Sequence, residues 1–147
     1  MIEVVDEITE ELVAALAQLL PQLSARGWLP TRDELEQIIA SSQTILFVAR
    51  DPQHAGAIVG TAALVMYRTL NALHARIEDL IVNEGSRGKG FGAALAQACV
   101  QAATRAGAQD VSLTCRPARA AANRLYQRMG FTQLETNVYY YPITQPD

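Results

Sequence analysis

Arg87, Gly88, Lys89, Gly90, Phe91 and Gly92 bring three glycines and two cations into six consecutive positions. Together, residues of these types can hold a phosphate. Glycine lets the backbone come close to a ligand. The first turn of a helix offers N–H groups that lack intrahelical partners, and the helix dipole favours an anion there. The run follows "ARIEDLIV", which reads as a strand, and precedes an alanine-rich helical stretch. A strand-to-helix turn is therefore expected at the glycines. The plain structural alternative is a tight turn with solvated basic residues.

Two familiar phosphate loops can be tested against this stretch. Gly88-x-Gly90-x-x-Ala93 fits the dinucleotide pattern, which also requires an acidic residue at the end of the next strand. The candidate, Asp110, stands at the start of that strand instead. A nucleoside triphosphate loop needs a hydroxyl after its lysine, and Lys89 is followed by Gly90. A named residue argues against each reading, and a nucleotide-binding oxidoreductase stays as a rival behind a phosphate or pyrophosphate site of another kind.

The elements that position this turn come from the whole chain. With 147 residues, half of them hydrophobic and 18% charged, a single domain over residues 1–147 with one buried core is expected. A net charge of −3 argues against bulk attraction to nucleic acid. The N-terminal "MIEVVDEITE" is acidic and unlike a signal peptide, and no apolar run approaches the ~20 residues of a membrane span. A soluble, cytoplasmic setting without membrane contact is the expectation. Cys99 and Cys115 lie in apolar segments with no metal-ligand spacing, so they are expected as buried free thiols with no metal site.

Ile2 to Val5 reads as a first strand. Thr9 is an N-cap candidate for a helix carrying Leu12, Leu16, Leu19, Leu20 and Leu23, which Pro21 should end or kink. Thr31 to Glu34 is a capping box ahead of Leu35, Ile38 and Ile39. Strands follow at Thr44–Ala49, at Ala57–Tyr67 with Gly60 as a bulge candidate, and at Ala75–Val82. A helix then runs from the glycine turn to about Arg105, with Gly107 as its stop. Val111–Cys115 reads as a strand and Ala118–Met129 as a helix stopped by Gly130. Phe131–Thr132 and Val138–Tyr141 read as closing strands. The fold class is α/β: a mixed, mostly antiparallel sheet with helices on both faces.

Two motifs in this order resemble the GNAT superfamily of acyl-coenzyme A-dependent N-acyltransferases. The first is Arg87-x-x-Gly90-x-Gly92 after "IEDLIV". The second is "AANRLYQRMGF", with Asn123, Leu125, Tyr126, Gly130 and Phe131. The resemblance covers nearly the whole element order. It implies acetyl-coenzyme A (acetyl-CoA) as donor, with its pyrophosphate on Arg87, Gly88, Lys89, Gly90, Phe91 and Gly92. Its pantetheine arm would pair with the main chain of Leu80, Ile81 and Val82, in a splay between "IEDLIV" and "VSLTC". Asn123 would contact the coenzyme, or else cap its own helix. Locally, "IEDLIV…RGKGFG" is also similar to the amino-sugar-phosphate acetyltransferases of the superfamily.

An amine that attacks a thioester needs a base, a stabilised oxyanion and a proton for the leaving thiolate. The resemblance implies a backbone N–H near Ile81 or Val82 for the oxyanion, Tyr126 as proton donor, and a carboxylate of this strand as base. Strand alternation puts Glu78 on one face with Leu80 and Val82, and Asp79 on the other with Ile77 and Ile81. Glu78 is the first choice as base and Asp79 the second; an ion pair between Glu78 and Arg76 is the plain alternative. Arg116, Arg119 and Arg124 suit coenzyme phosphates, an acidic acceptor or simple solvation. His74 is an acceptor-loop candidate that otherwise reads as surface. For Tyr139, Tyr140 and Tyr141, core packing is the default, with a homodimer interface or the acceptor pocket as alternatives.

The expected activity is acetyl transfer to a primary amine of a small molecule by direct attack in a ternary complex. Cys115 is the one thiol that could divert it through a covalent step. A protein N-terminus or lysine is the alternative acceptor. A CoA-binding module without catalysis is the alternative class.

Overall fold

The computed structural model describes residues 1–144 and divides into two compact units, Met1–Thr114 and the segment from Cys115 onward. The first unit contains β1 (Ile2–Val4), α1 (Glu10–Leu23), α2 (Arg32–Ala40), β2 (Thr44–Asp51), β3 (Ala57–Arg68), β4 (Leu73–Val82), α3 (Phe91–Ala106) and β5 (Val111–Ser112). Single turns of 3-10 helix follow β2 and β4, at Pro52–His54 and Glu84–Ser86.

Local chemistry starts the helices where the sequence predicts. The Thr9 hydroxyl accepts the Leu12 N–H at 3.1 Å, and the Thr31 hydroxyl accepts the Glu34 N–H at 3.1 Å. Glu10 and Glu11 sit at the positive end of α1, and Leu12, Leu16 and Leu19 bury one stripe of it. Pro21 does not end α1, which continues to Leu23. Proline near the C-terminus deprives only the Ala17 carbonyl of its helical partner, and burial of Leu19 holds the turn.

The sheet order is β1-β2-β3-β4-β5, antiparallel except for the parallel β4–β5 pair. Ile8, Leu12, Leu16 and Leu35 pack against Val48 on one face, while α3 lies across β2, β3 and β4 on the other. This is the α/β architecture expected, with helices on both faces. Arg50 ties its edge together: its guanidinium donates to Glu3 at 2.8 Å, to Glu11 at 2.7 Å and to the Gly56 carbonyl at 2.9 Å.

Two register shifts interrupt the ladders. In β3, Val59 is the extra residue between Ala49↔Gly60 and Arg50↔Ile58, beside the glycine expected to mark a bulge. In β4, Asp79 and Leu80 together oppose Ala62, between Thr61↔Ile81 and Ala63↔Glu78. The last strand is shorter than the expected Val111–Cys115. Its ladder consists of Ala75↔Val111 and Arg76↔Ser112 alone.

In the second unit, α4 spans Ala120–Arg128, and the Phe131 N–H bonds the Tyr126 carbonyl at 2.9 Å just past Gly130, whose φ is +99°. The expected closing strands at Phe131–Thr132 and Val138–Tyr141 are not formed among the described residues. The expected core packing of the tyrosines also fails: Tyr139, Tyr140 and Tyr141 are 89%, 76% and 85% exposed. Aromatic β-propensity reflects packing on a sheet face, and it supplies no partner strand.

Gly60 marks the closest approach of sheet and helix. A Cβ there would lie 3.0 Å from the Ile81 carbonyl oxygen and 3.1 Å from Leu95 Cδ1. Gly60→Val is expected to lower unfolding free energy by about 1–3 kcal/mol through overpacking, read as a lower urea midpoint with an unchanged slope.

Candidate active site

The glycine turn is built as a cradle. Gly88 and Gly90 have φ of +78° and +89°, the left-handed region that glycine enters without steric cost. Gly90 is the N-cap of α3, and no side chain caps the helix. The first intrahelical bond of this end runs from Ala94 N–H to the Gly90 carbonyl at 3.0 Å, so the N–H groups of Phe91, Gly92 and Ala93 lack intrahelical acceptors. A Cβ on Gly88 or Gly90 would meet nothing within 4 Å, so the turn has open space beside it. Arg87 Nε donates to the Val82 carbonyl at 3.0 Å and straps the turn to the end of β4. Lys89 Nζ lies 3.8 Å from the buried Asp51 carboxylate at the end of β2. Unpaired amides, two cations and open space fit an anion such as a pyrophosphate.

Beside β4 lies a cavity of about 320 Å³ between α1, α2 and strands β2, β3 and β4, with Glu78 and Asp79 in its wall. Alternation predicts these carboxylates on opposite faces, and the structure corrects that. The two-for-one insertion reverses the phase of β4: Glu78, opposite Ala63, shares a face with Ile81, opposite Thr61. Ile77, opposite Leu64, shares the other face with Val82, opposite Gly60. Asp79 takes φ of +55°, a conformation that aspartate tolerates better than most residues.

The two carboxylates differ in state. Arg76 Nε donates to Glu78 Oε1 at 2.9 Å, the ion pair that was the plain alternative for Glu78. Asp79 remains open to solvent, yet surrounding protein and then the negative charge of Glu78 hold its carboxyl above the ordinary aspartate value.

Leu80, Ile81 and Val82 continue β4 beyond the point where β5 stops pairing with it. β5 itself ends at Ser112, so the ladder supplies no β5 partner opposite Leu80, Ile81 and Val82. In the second unit, Asn123 Nδ2 donates to the carbonyls of Arg116 at 3.0 Å and Arg119 at 2.9 Å, holding the turn that leads into α4. Tyr126 is buried, and its ring meets Phe131 edge-on with centroids 5.7 Å apart. Arg116, Arg119 and Arg124 are exposed.

His74 belongs to another cluster. Its Nδ1 pairs with Asp110 at 2.8 Å, its Nε2 with Thr69 at 3.1 Å, and its ring stacks on Tyr67. This cluster is at the start of β4, before Glu78 and Asp79 in its middle. Cys99 is fully buried, and burial pushes its thiol up to about 12. Cys115, expected to be buried as well, is only partly so.

Sequence reasoning missed the residues that brace the site. Gln22, in the last turn of α1, donates to Asn83 Oδ1 at 2.9 Å and accepts the Glu84 N–H at 2.9 Å. It thereby pins the segment that leads into the phosphate turn. These contacts join positions more than 60 residues apart and have no local signal.

The acetyltransferase (GNAT) family model matches residues 8–131, and the chain belongs to that family of acyltransferases. The fold is shared with an aminoglycoside acetyltransferase from an uncultured soil metagenomic sample, at 21% identity and a TM-score of 0.83 over 99% of this chain and 96% of that one. Glucosamine-6-phosphate N-acetyltransferase of Arabidopsis thaliana aligns at 19% identity and a TM-score of 0.78, covering 96% of this chain and 98% of its own. An acetyltransferase of Trypanosoma brucei aligns at 23% identity and a TM-score of 0.75, over 97% and 100%. No curated protein matches the chain by sequence. Among the described residues, no helix is long and apolar enough to cross a membrane.

The raised Asp79 carboxyl has a stability consequence. A carboxyl whose folded value lies above its unfolded value favours folding while protonated, and that advantage is lost as pH rises through the folded value. Asp79→Asn should therefore match the wild type below the ordinary aspartate range of about 4 and melt at a higher temperature near neutrality. Thermal melts of both proteins from pH 3 to 8 check this.

Proposed function

We propose that residues 1–147 form one acetyltransferase domain that moves an acetyl group from acetyl-CoA to a primary amine of a small molecule, by direct attack in a ternary complex. The observation that carries this reading is the open, uncapped start of α3, with Arg87 and Lys89 beside it and, just before it, the end of β4 that pairs with β3 but lies past its last β5 pair. The family match crosses the boundary between the two compact units, which supports a single functional domain.

Acetyl-CoA supplies a thioester. Arg87, Gly88, Lys89, Gly90, Phe91 and Gly92 would hold its pyrophosphate, and the backbone of Leu80, Ile81 and Val82 its pantetheine arm. Asn123 holds its own turn and would present that turn to the coenzyme. Asp79 is assigned as the base in preference to Glu78, because its carboxyl is raised toward the working range and Arg76 already occupies Glu78. The acceptor ammonium gives its proton to Asp79, directly or through water. The neutral nitrogen then forms the new C–N bond while a backbone N–H of Ile81 or Val82 steadies the oxyanion. As the C–S bond breaks, Tyr126 gives a proton to the thiolate. A phenol near 10 can protonate a thiolate whose thiol form titrates near 8.5 with only a small uphill step. The exposure of Tyr139, Tyr140 and Tyr141 supports a homodimer contact for that run.

Release of free thiol from acetyl-CoA in the presence of amines tests the reading; stabilisation by NAD and not by CoA would overturn it. Tyr126→Phe should lower kcat by about 10²–10⁴-fold while acetyl-CoA still raises the melting temperature. In pH–rate profiles, Asp79→Asn should lose the acidic limb. Glu78→Gln should keep it, displaced to lower pH, because removing the neighbouring charge lowers the Asp79 value.

A further inference from the structure

The walls of the cavity beside Glu78 and Asp79 are more specific than an amine requirement alone. Leu16 and Leu20 of α1, Leu35 and Ile38 of α2, Leu46 of β2 and Val65 of β3 face into it. Its volume, about 320 Å³, is at the small end of the range for small-molecule sites, about 300–1,000 Å³. Polar groups are few. The Thr61 hydroxyl already donates to the Phe47 carbonyl at 2.9 Å. The charged members of the wall are the two carboxylates, and no lysine, arginine or histidine is among its residues. The cation beside this wall, Arg76, is already paired with Glu78 at 2.9 Å, so a phosphorylated acceptor would have to compete with that carboxylate for it. A polyhydroxylated amine would bury hydroxyls against leucine and isoleucine.

We infer that the acceptor is a compact apolar monoamine, a short alkylamine or arylalkylamine, whose ammonium meets Asp79 while its hydrocarbon body fills the space between α1, α2 and the sheet. This rests on the acetyl-transfer reading for its chemistry, and on the cavity alone for its binding. The charge pattern is complementary: a single cation goes to the acidic end, and an uncharged body to the rest. The acceptor class therefore differs from those named for the aminoglycoside and glucosamine-6-phosphate enzymes of the same fold. It also goes against the local sequence similarity to amino-sugar-phosphate acetyltransferases.

The test uses the full wild-type chain and two independent readouts. Binding of n-propylamine through n-hexylamine, 2-phenylethylamine, glucosamine and glucosamine 6-phosphate is measured by titration calorimetry without acetyl-CoA. Acetylation of the same amines, and of a lysine-containing peptide, is measured by thiol release. Affinity should rise about fourfold per methylene along the alkyl series until the cavity is full. The best apolar amine should exceed glucosamine in kcat/KM by about 100-fold or more. Apolar amines that bind in this order without being acetylated would support the cavity assignment and overturn the acetyl-transfer reading. Faster acetylation of glucosamine, its phosphate or the peptide would overturn the inference and leave acetyl transfer standing. Absence of binding by every apolar amine would also overturn the inference.

Discussion

Asp79 and Leu80 of β4 stand together against Ala62 of β3, and the sidedness of the site depends on that insertion. A strand turns successive side chains to opposite faces, so one extra residue exchanges the faces of everything beyond it. Before the insertion, Arg76 and Glu78 face the α1–α2 side; after it, Ile81 does. Two consecutive carboxylates can therefore line one cavity, which a regular strand would forbid. The cost is an aspartate in the left-handed region, held there by the ladder on both sides.

The same strand separates the charges of the site. Its middle carries Glu78 and Asp79 beside an apolar cavity, and its end leads into a turn with Arg87, Lys89 and unpaired amides. A cation is favoured at the first place and an anion at the second. Between them, Leu80 to Val82 lie past the last β5 pair, where a ligand backbone can take the place of a neighbouring strand. Arg87 on the Val82 carbonyl and Gln22 on Asn83 and Glu84 keep the turn at a set distance from the strand. The glycine turn and the acidic wall are thus parts of one braced segment.

Several parts of this could be read without the structure because their causes are local. Thr9 and Thr31 cap helices with their own side chains, and the leucine stripe of α1 follows the 3.6-residue period. Gly90 and Gly107 bound α3 because each adopts a positive φ there. Other parts failed for equally definite reasons. Pro21 signals a helix end, but burial of Leu19 outweighs one lost hydrogen bond. The tyrosine run at 139–141 has strand composition, but composition provides no partner. Glu78 is a different case: its ion pair with Arg76 was one of the readings open in the sequence, and only the fold shows that pair formed.

By itself the sequence determined the class of the protein: the order of elements as far as α4, the glycine turn at Arg87–Gly92 and the "AANRLYQRMGF" motif that together mark an acetyltransferase. Each rests on residues close in the chain, where glycine conformation, capping and periodicity act over a few positions. Tertiary structure decided which carboxylate carries the raised value, which side of β4 the carboxylates face, and what surrounds them. Those properties come from register and from side chains of α1, α2 and β2 brought against β4. The charge acting on Asp79 is that of its sequence neighbour Glu78, but the surrounding protein that removes water from its carboxyl comes from elements distant in the chain, which no local pattern contains.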